Sequence, residues 1–113
     1  MKEFMMIFRH APNQEYSPSP EEIEASMKQW QDWIGGIAAQ GKFQSTNRLG
    51  FEGKTLSPDQ VITDGPYAEV KEIVGGYMIV KGENIDEVME MAKGCPALQM
   101  GSNVEVRDIM DLG

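Results

Sequence analysis

Apolar and polar positions change period several times along the chain, and each change predicts an element. Residues 3–9 are nearly continuously apolar, with Phe4-Met5-Met6-Ile7-Phe8 at the centre, the pattern of a strand at the middle of a sheet or covered on both faces. Ser19-Pro20-Glu21-Glu22 then supplies an N-cap serine, a proline at the first helical position and a glutamate at the third, which is a capping box. The helix it opens carries Ile23, Met27, Trp30, Ile34 and Ile37 at alternating steps of four and three, so they form one stripe, widened by Trp33 and Ala38 and predicted to face the sheet. Gly35-Gly36 costs this helix roughly 1 kcal/mol per glycine relative to alanine, so something is expected to pack close to its backbone there. Gly41 is a natural C′ residue and the predicted end.

From Phe43 to Phe51 the residues Phe43, Ser45, Asn47, Leu49 and Phe51 alternate with Gln44, Thr46 and Arg48, predicting a strand with a polar inner face and hence a cleft. Turn signals at Glu52-Gly53 and Ser57-Pro58-Asp59 frame two short β pieces, Lys54–Leu56 and Gln60–Thr63, expected as an inserted hairpin. The loop Asp64 to Glu72 follows. Ile73 to Val80 is apolar and β-rich apart from Gly75-Gly76, and reads as the central third strand. Asn84 and Glu87 cap a second helix with the inner stripe Ile85, Val88, Met91 and Ala92, closed by Gly94. Val104, Val106 and Ile109 mark a last strand. The order strand, helix, strand, strand, helix, strand is the split βαβ pair of an α+β, ferredoxin-like fold, with residues 1–113 as one domain. Two helices cover one face of such a sheet, so the other is expected to be covered by a second copy, making a homodimer.

Charge narrows the partners. Eighteen acidic residues against ten basic ones give a net charge of −8, with no lysine or arginine cluster, which argues against nucleic acid and anionic membrane surfaces. The opening apolar stretch is too short for a signal sequence or a membrane span. The single cysteine, Cys95, forms no intrachain disulfide, which agrees with a reducing cytoplasm, the expected location. With one histidine and one cysteine, no metal site is expected, and no glycine-rich phosphate loop or other cofactor motif is present, so no cofactor is expected either. Cys95, before Pro96 and without an activating neighbour, reads as a buried inert thiol, and Trp30 and Trp33 as core or dimer-interface residues.

Topology supplies the candidate chemistry. In a split βαβ sheet the first and third strands are antiparallel neighbours, so His10 at the end of one should lie near the loop entering the other. That brings together His10, Asp64, Tyr67, Glu69, Lys71 and Glu72. A histidine oriented by a carboxylate is a general base near neutral pH, so His10 and Asp64 are the candidate catalytic pair. The alternatives are a surface histidine and, for Asp64-Gly65-Pro66, a structural Asx turn. Tyr67 either lines a pocket or caps the core edge; Glu69, Lys71 and Glu72 either contact ligand or form a solvated rim. Arg48 joins Tyr67, Glu69, Lys71 and Glu72 as a candidate ligand contact, and with Arg9 and Lys71 is one of the few groups able to hold an anion.

The run Val61-Ile62-Thr63-Asp64-Gly65-Pro66-Tyr67-Ala68-Glu69-Val70-Lys71-Glu72, followed by Gly75-Gly76-Tyr77, resembles the signature of the YCII-related, DGPF-type family, with Tyr67 in place of the phenylalanine. The likeness extends to Phe4–Phe8, Pro18–Glu22, the Trp30 region, Cys95-Pro96 and Val104–Arg107, nearly the whole chain. It implies a dimeric α+β barrel in which two ferredoxin-like sheets pack face to face. Some relatives of that fold are enzymes acting on small cyclic or chlorinated organic acids through a His and Asp pair, and others accompany extracytoplasmic-function sigma factors. The enzymatic branch carries its histidine on the first helix and its aspartate in an Asp-Pro near the second. Here that helix has no histidine and Cys95-Pro96 stands in the second place, so His10 with Asp64 rests on topology. Three functions follow: a cofactor-free enzyme of lyase, isomerase or hydrolase type moving a proton on a small organic acid; a ligand-binding or regulatory module linked to transcription; or a dimeric interaction protein without ligand.

Overall fold

The computed structural model describes residues 1–10, 19–50, 52–64 and 73–111. In chain order the elements are β1 (Lys2–His10), α1 (Pro20–Ala39), β2 (Phe43–Arg48), β3 (Lys54–Leu56), β4 (Ile62–Asp64), β5 (Ile73–Gly82), α2 (Ile85–Ala92), a 3-10 helix (Pro96–Met100) and β6 (Asn103–Asp108). Both helices begin where their caps are encoded. Ser19 Oγ accepts the Glu22 amide at 3.1 Å, and Asn84 Oδ1 accepts the Glu87 amide at 2.9 Å. In the second box the returning carboxylate reaches the Glu83 amide, one residue before the cap. Gly41, at φ 72°, ends α1 in the left-handed conformation that glycine tolerates best.

The main sheet has the order β2-β5-β1-β6 with every neighbour antiparallel, the split βαβ arrangement. The inward-facing positions Phe4, Met6 and Phe8 of β1 and Met78 and Val80 of β5 meet Ile37 of α1 and Val88 and Ala92 of α2 in one core. Trp30 and Trp33 edge-pack against Phe8 and against each other, and Trp33 Nε1 donates to the Met91 carbonyl at 2.9 Å, tying α1 to α2. The molecule is only 18 Å through its thin axis, about one helix layer on one sheet layer.

Four expectations change. The α1 stripe is packed only from Trp30 onward; Ile23 and Met27 are 45% and 56% exposed, because helix–core packing begins only in the second half of the helix. Nothing lies within 4 Å of where a Cβ would stand on Gly35 or Gly36, so no close neighbour explains that pair among the described residues. The alternating face of β2 is broken by a bulge. Phe43 pairs with Val80 and Ser45 with Ile79, so Gln44 is the extra residue, and Ser45 and Asn47 turn to the face opposite Phe43. Finally, β3 and β4 pair antiparallel as a separate two-stranded sheet, and β4 starts at Ile62 because Gln60, at φ 68°, is still in the turn.

Candidate functional site

His10 ends β1 and pairs with Ile73, the first residue of β5. The end of the first strand therefore does meet the entry to the central strand, as topology requires. Around this corner β5 carries one residue too many: Phe8 pairs with Gly76 and Arg9 with Val74, leaving Gly75 as a bulge. The bulge makes room for the histidine. A Cβ on Gly75 would stand 2.6 Å from His10 Cδ2 and 2.9 Å from Nε2, so the imidazole lies directly on that glycine's backbone. Gly76 is equally constrained, since its Cβ would stand 2.9 Å from the Asn47 carbonyl oxygen and 3.7 Å from the Phe8 ring. Two adjacent residues of the central strand thus carry no side chain on the helix face, and the rings of His10 and Phe8, which alternation along β1 puts on that same face, cover Gly75 and the buried Gly76 respectively.

On the other flank of β5, Arg48 of β2 pairs with Gly76, its Cα 3.5 Å from the position of that absent Cβ. Arg48 is exposed and has no acidic partner among the described residues. The structure therefore brings His10 and Arg48 to one end of the sheet, on either side of Gly75-Gly76. Asp64 closes β4 opposite Lys54, and its side chain lies outside the described part of the structure. Tyr67, Glu69, Lys71 and Glu72 lie outside the described residues.

The opposite face of the sheet is chemically different. Arg9 Nε donates to Glu105 Oε1 at 3.1 Å across β1 and β6, and Asn47 Nδ2 donates to the Tyr77 hydroxyl at 2.9 Å across β2 and β5. Arg9, one of the groups expected to hold an anion, thus already has a carboxylate. Met5, Ile7, Val74, Tyr77 and Ile79 are half-buried. Cys95 is buried, and burial pushes its thiol up to about 11, so it is protonated and unreactive at neutral pH. Among the described residues no cluster of three or more His, Cys, Asp or Glu side chains could hold a metal ion. Among them, too, no helix is long and apolar enough to cross a membrane. The role of Gly75 as the seat of the histidine was not read from the sequence, although its signal, a Gly-Gly pair inside an otherwise β-branched strand, is plain there.

With this corner in place, the whole-chain comparison decides the family. Residues 2–112 match the YCII-related domain. The chain belongs to the YCII-related domain family. In this YCII-related chain the signature's Gly75 lies under His10, its Gly76 lies against the Asn47 carbonyl and the Phe8 ring, and its Tyr77 faces the other side of the sheet, bonded to Asn47. Among solved structures, the 5-chloro-2-hydroxyhydroquinone dehydrochlorinase TftG of Burkholderia phenoliruptrix AC1100, in complex with 2,5-dihydroxybenzoquinone, is 16% identical with a TM-score of 0.49, over 95% of this chain and 93% of that one. The protein At3g17210 from Arabidopsis thaliana is 16% identical with a TM-score of 0.41, over 100% of this chain and 97% of that one. No curated protein matches the chain.

Proposed function

We propose that this YCII-related chain moves a proton on a small organic acid, in a lyase, isomerase or hydrolase type of reaction without a resident cofactor, with His10 as the base. The observation that carries the reading is the seat of the imidazole on Gly75. A general base needs access to solvent or substrate, and a half-buried imidazole seated on Gly75 in a bulge keeps it. Bulges recur next to active sites because they re-aim a side chain in this way. Asp64 is the carboxylate proposed to orient the ring.

Proton transfer is measurable before the net reaction is known. In D2O, exchange of acidic C–H positions in a panel of small organic acids, followed by NMR, should be accelerated by the wild-type protein and lost in His10→Gln, with Asp64→Asn reduced. No acceleration by the wild type, or an equal rate in His10→Gln, removes the reading.

The same proposal includes a homodimer formed through the sheet face that the helices leave open. What supports it is the 18 Å thickness together with the half-buried apolar row on that face.

A further inference from the structure

We infer that the β3–β4 hairpin docks on the second copy of the chain through its Leu56–Ile62 face, so that the strand ending in Asp64 is held in place only in the dimer. The inference rests on the homodimer reading and adds to it a second contact and a link to the carboxylate proposed to orient His10.

Three observations converge on it. Among the described residues β3 and β4 pair only with each other, as a two-stranded sheet of three residues a side, apart from the main sheet. Such a hairpin is at best marginally stable in water and needs a third strand or a packed face. No hairpin residue belongs to the core or to the half-buried apolar residues packed on it. Leu56 pairs with Ile62, so the two side chains share one face, and they are 59% and 64% exposed, with Val61 next to them exposed as well. The face whose packing the hairpin needs therefore stands open in the single chain.

The shape of the chain identifies the cover. Its Cα radius of gyration is 15.8 Å, against about 13 Å for a compact domain of 113 residues, and its extents are 45 × 44 × 18 Å. It is a broad plate, and the hairpin lies within the same 18 Å thickness as the sheet and its helices. Arg48, the last residue of β2, pairs with Gly76, and Ile73, the first residue of β5, pairs with His10, so the hairpin between them leaves and rejoins the sheet at the His10 end. A second plate laid on the open sheet face is as broad as the first and continues past the end of the sheet over the hairpin. One two-fold interface then covers both apolar patches, the row around Ile7 and Tyr77 and the pair Leu56 and Ile62.

The test compares amide hydrogen exchange of residues 54–56 and 62–64 in wild type and in Ile7→Asp, whose sheet face is disabled, and measures the dimer affinity of a Leu56→Ser, Ile62→Ser double variant by sedimentation equilibrium. In the wild-type dimer the amides bonded across the hairpin should exchange at least about tenfold more slowly than in the Ile7→Asp monomer, while the core amides of β1 and β5 stay protected in both. The double variant should dimerise about tenfold to a hundredfold more weakly than wild type. Met27→Ser, which removes a comparably exposed apolar side chain from α1, should dimerise as wild type does. Leu56 and Ile62 are exposed in the single chain, and unchanged main-sheet resonances show that the double variant folds. A wild-type monomer, or an Ile7→Asp dimer, removes the homodimer reading and this inference with it. Hairpin amides that exchange equally in the wild-type dimer and the Ile7→Asp monomer, whether fast or slow, or a double variant of wild-type affinity, overturn this inference and leave the dimer standing.

Discussion

A methyl group is the smallest probe of the His10 seat, and the two glycines should respond to it differently. In Gly75→Ala the new Cβ would lie 2.6 Å from His10 Cδ2, an atom at the end of a rotatable side chain. The ring can swing away, so the expected stability loss is below about 1 kcal/mol while proton exchange falls toward the level of His10→Gln. In Gly76→Ala the obstacle is the Asn47 carbonyl oxygen at 2.9 Å, which belongs to the backbone of β2. Relief there means moving a strand, and a loss of about 2 kcal/mol in urea unfolding is expected. Equal stability of the two variants, or full exchange activity in Gly75→Ala, contradicts the seat. A purely structural histidine predicts no such separation between folding and activity.

Elements, by contrast, are held by contacts that were mostly legible in the sequence. Ser19 with Glu22 and Asn84 with Glu87 are caps written in four consecutive residues, and both helices start on them. The apolar runs of β1 and β5 announced central strands because both are flanked by others and packed against helices. What could not be read was any feature set by an extra residue. The bulges at Gln44 and Gly75 change which side chains share a face, and alternation alone does not mark where a ladder skips. Likewise the periodicity of α1 continues past the core edge, so Ile23 and Met27 keep the pattern without the burial. Glu87 illustrates a contact that caps and tertiary structure share: besides accepting from the Glu83 amide, its carboxylate meets the Lys42 ammonium, joining α2 to the start of β2. The Lys42 hydrogen bond, against an opposing desolvation, holds the Glu87 carboxyl below its usual 4.5. Between the lowered folded value and 4.5 the unfolded chain binds more protons than the folded one, so this contribution is complete above the unfolded value and is lost as pH falls through the folded one. Glu87→Gln should therefore unfold at lower urea than wild type at pH 7, and the difference should shrink steadily below pH 4.5. A gap independent of pH would assign the effect to packing instead.

Viewed as one body, the chain has two unlike faces, and the sheet divides them. Helices, tryptophans and the His10 corner lie on one side; Met5, Ile7, Val74, Tyr77 and Ile79, with the Arg9–Glu105 and Asn47–Tyr77 bonds, lie on the other. An antiparallel sheet can leave one face in water when that face is polar, but this one carries an apolar row along its two central strands. A two-fold interface uses the same patch on both copies, and a stable one buries about 800 Å² per partner, which the face of a four-stranded sheet can supply. Sedimentation equilibrium at micromolar concentration should therefore give twice the chain mass of 12.6 kDa. Ile7 stands at the middle of the face, opposite Tyr77 on β5 and Glu105 on β6, so Ile7→Asp would bury an unpaired carboxylate between the copies and should yield monomers. Met27→Asp, on the exposed half of α1, should leave the dimer intact. A wild-type monomer, or an Ile7→Asp dimer of unchanged affinity, would leave the apolar row without this partner. Because β5 presents Gly75 and Gly76 to one face and Val74 and Tyr77 to the other, pairing the sheets would also hold the bulged strand in place from behind. Dissociation by Ile7→Asp should then weaken the His10 seat and slow proton exchange even though no residue of that corner has changed.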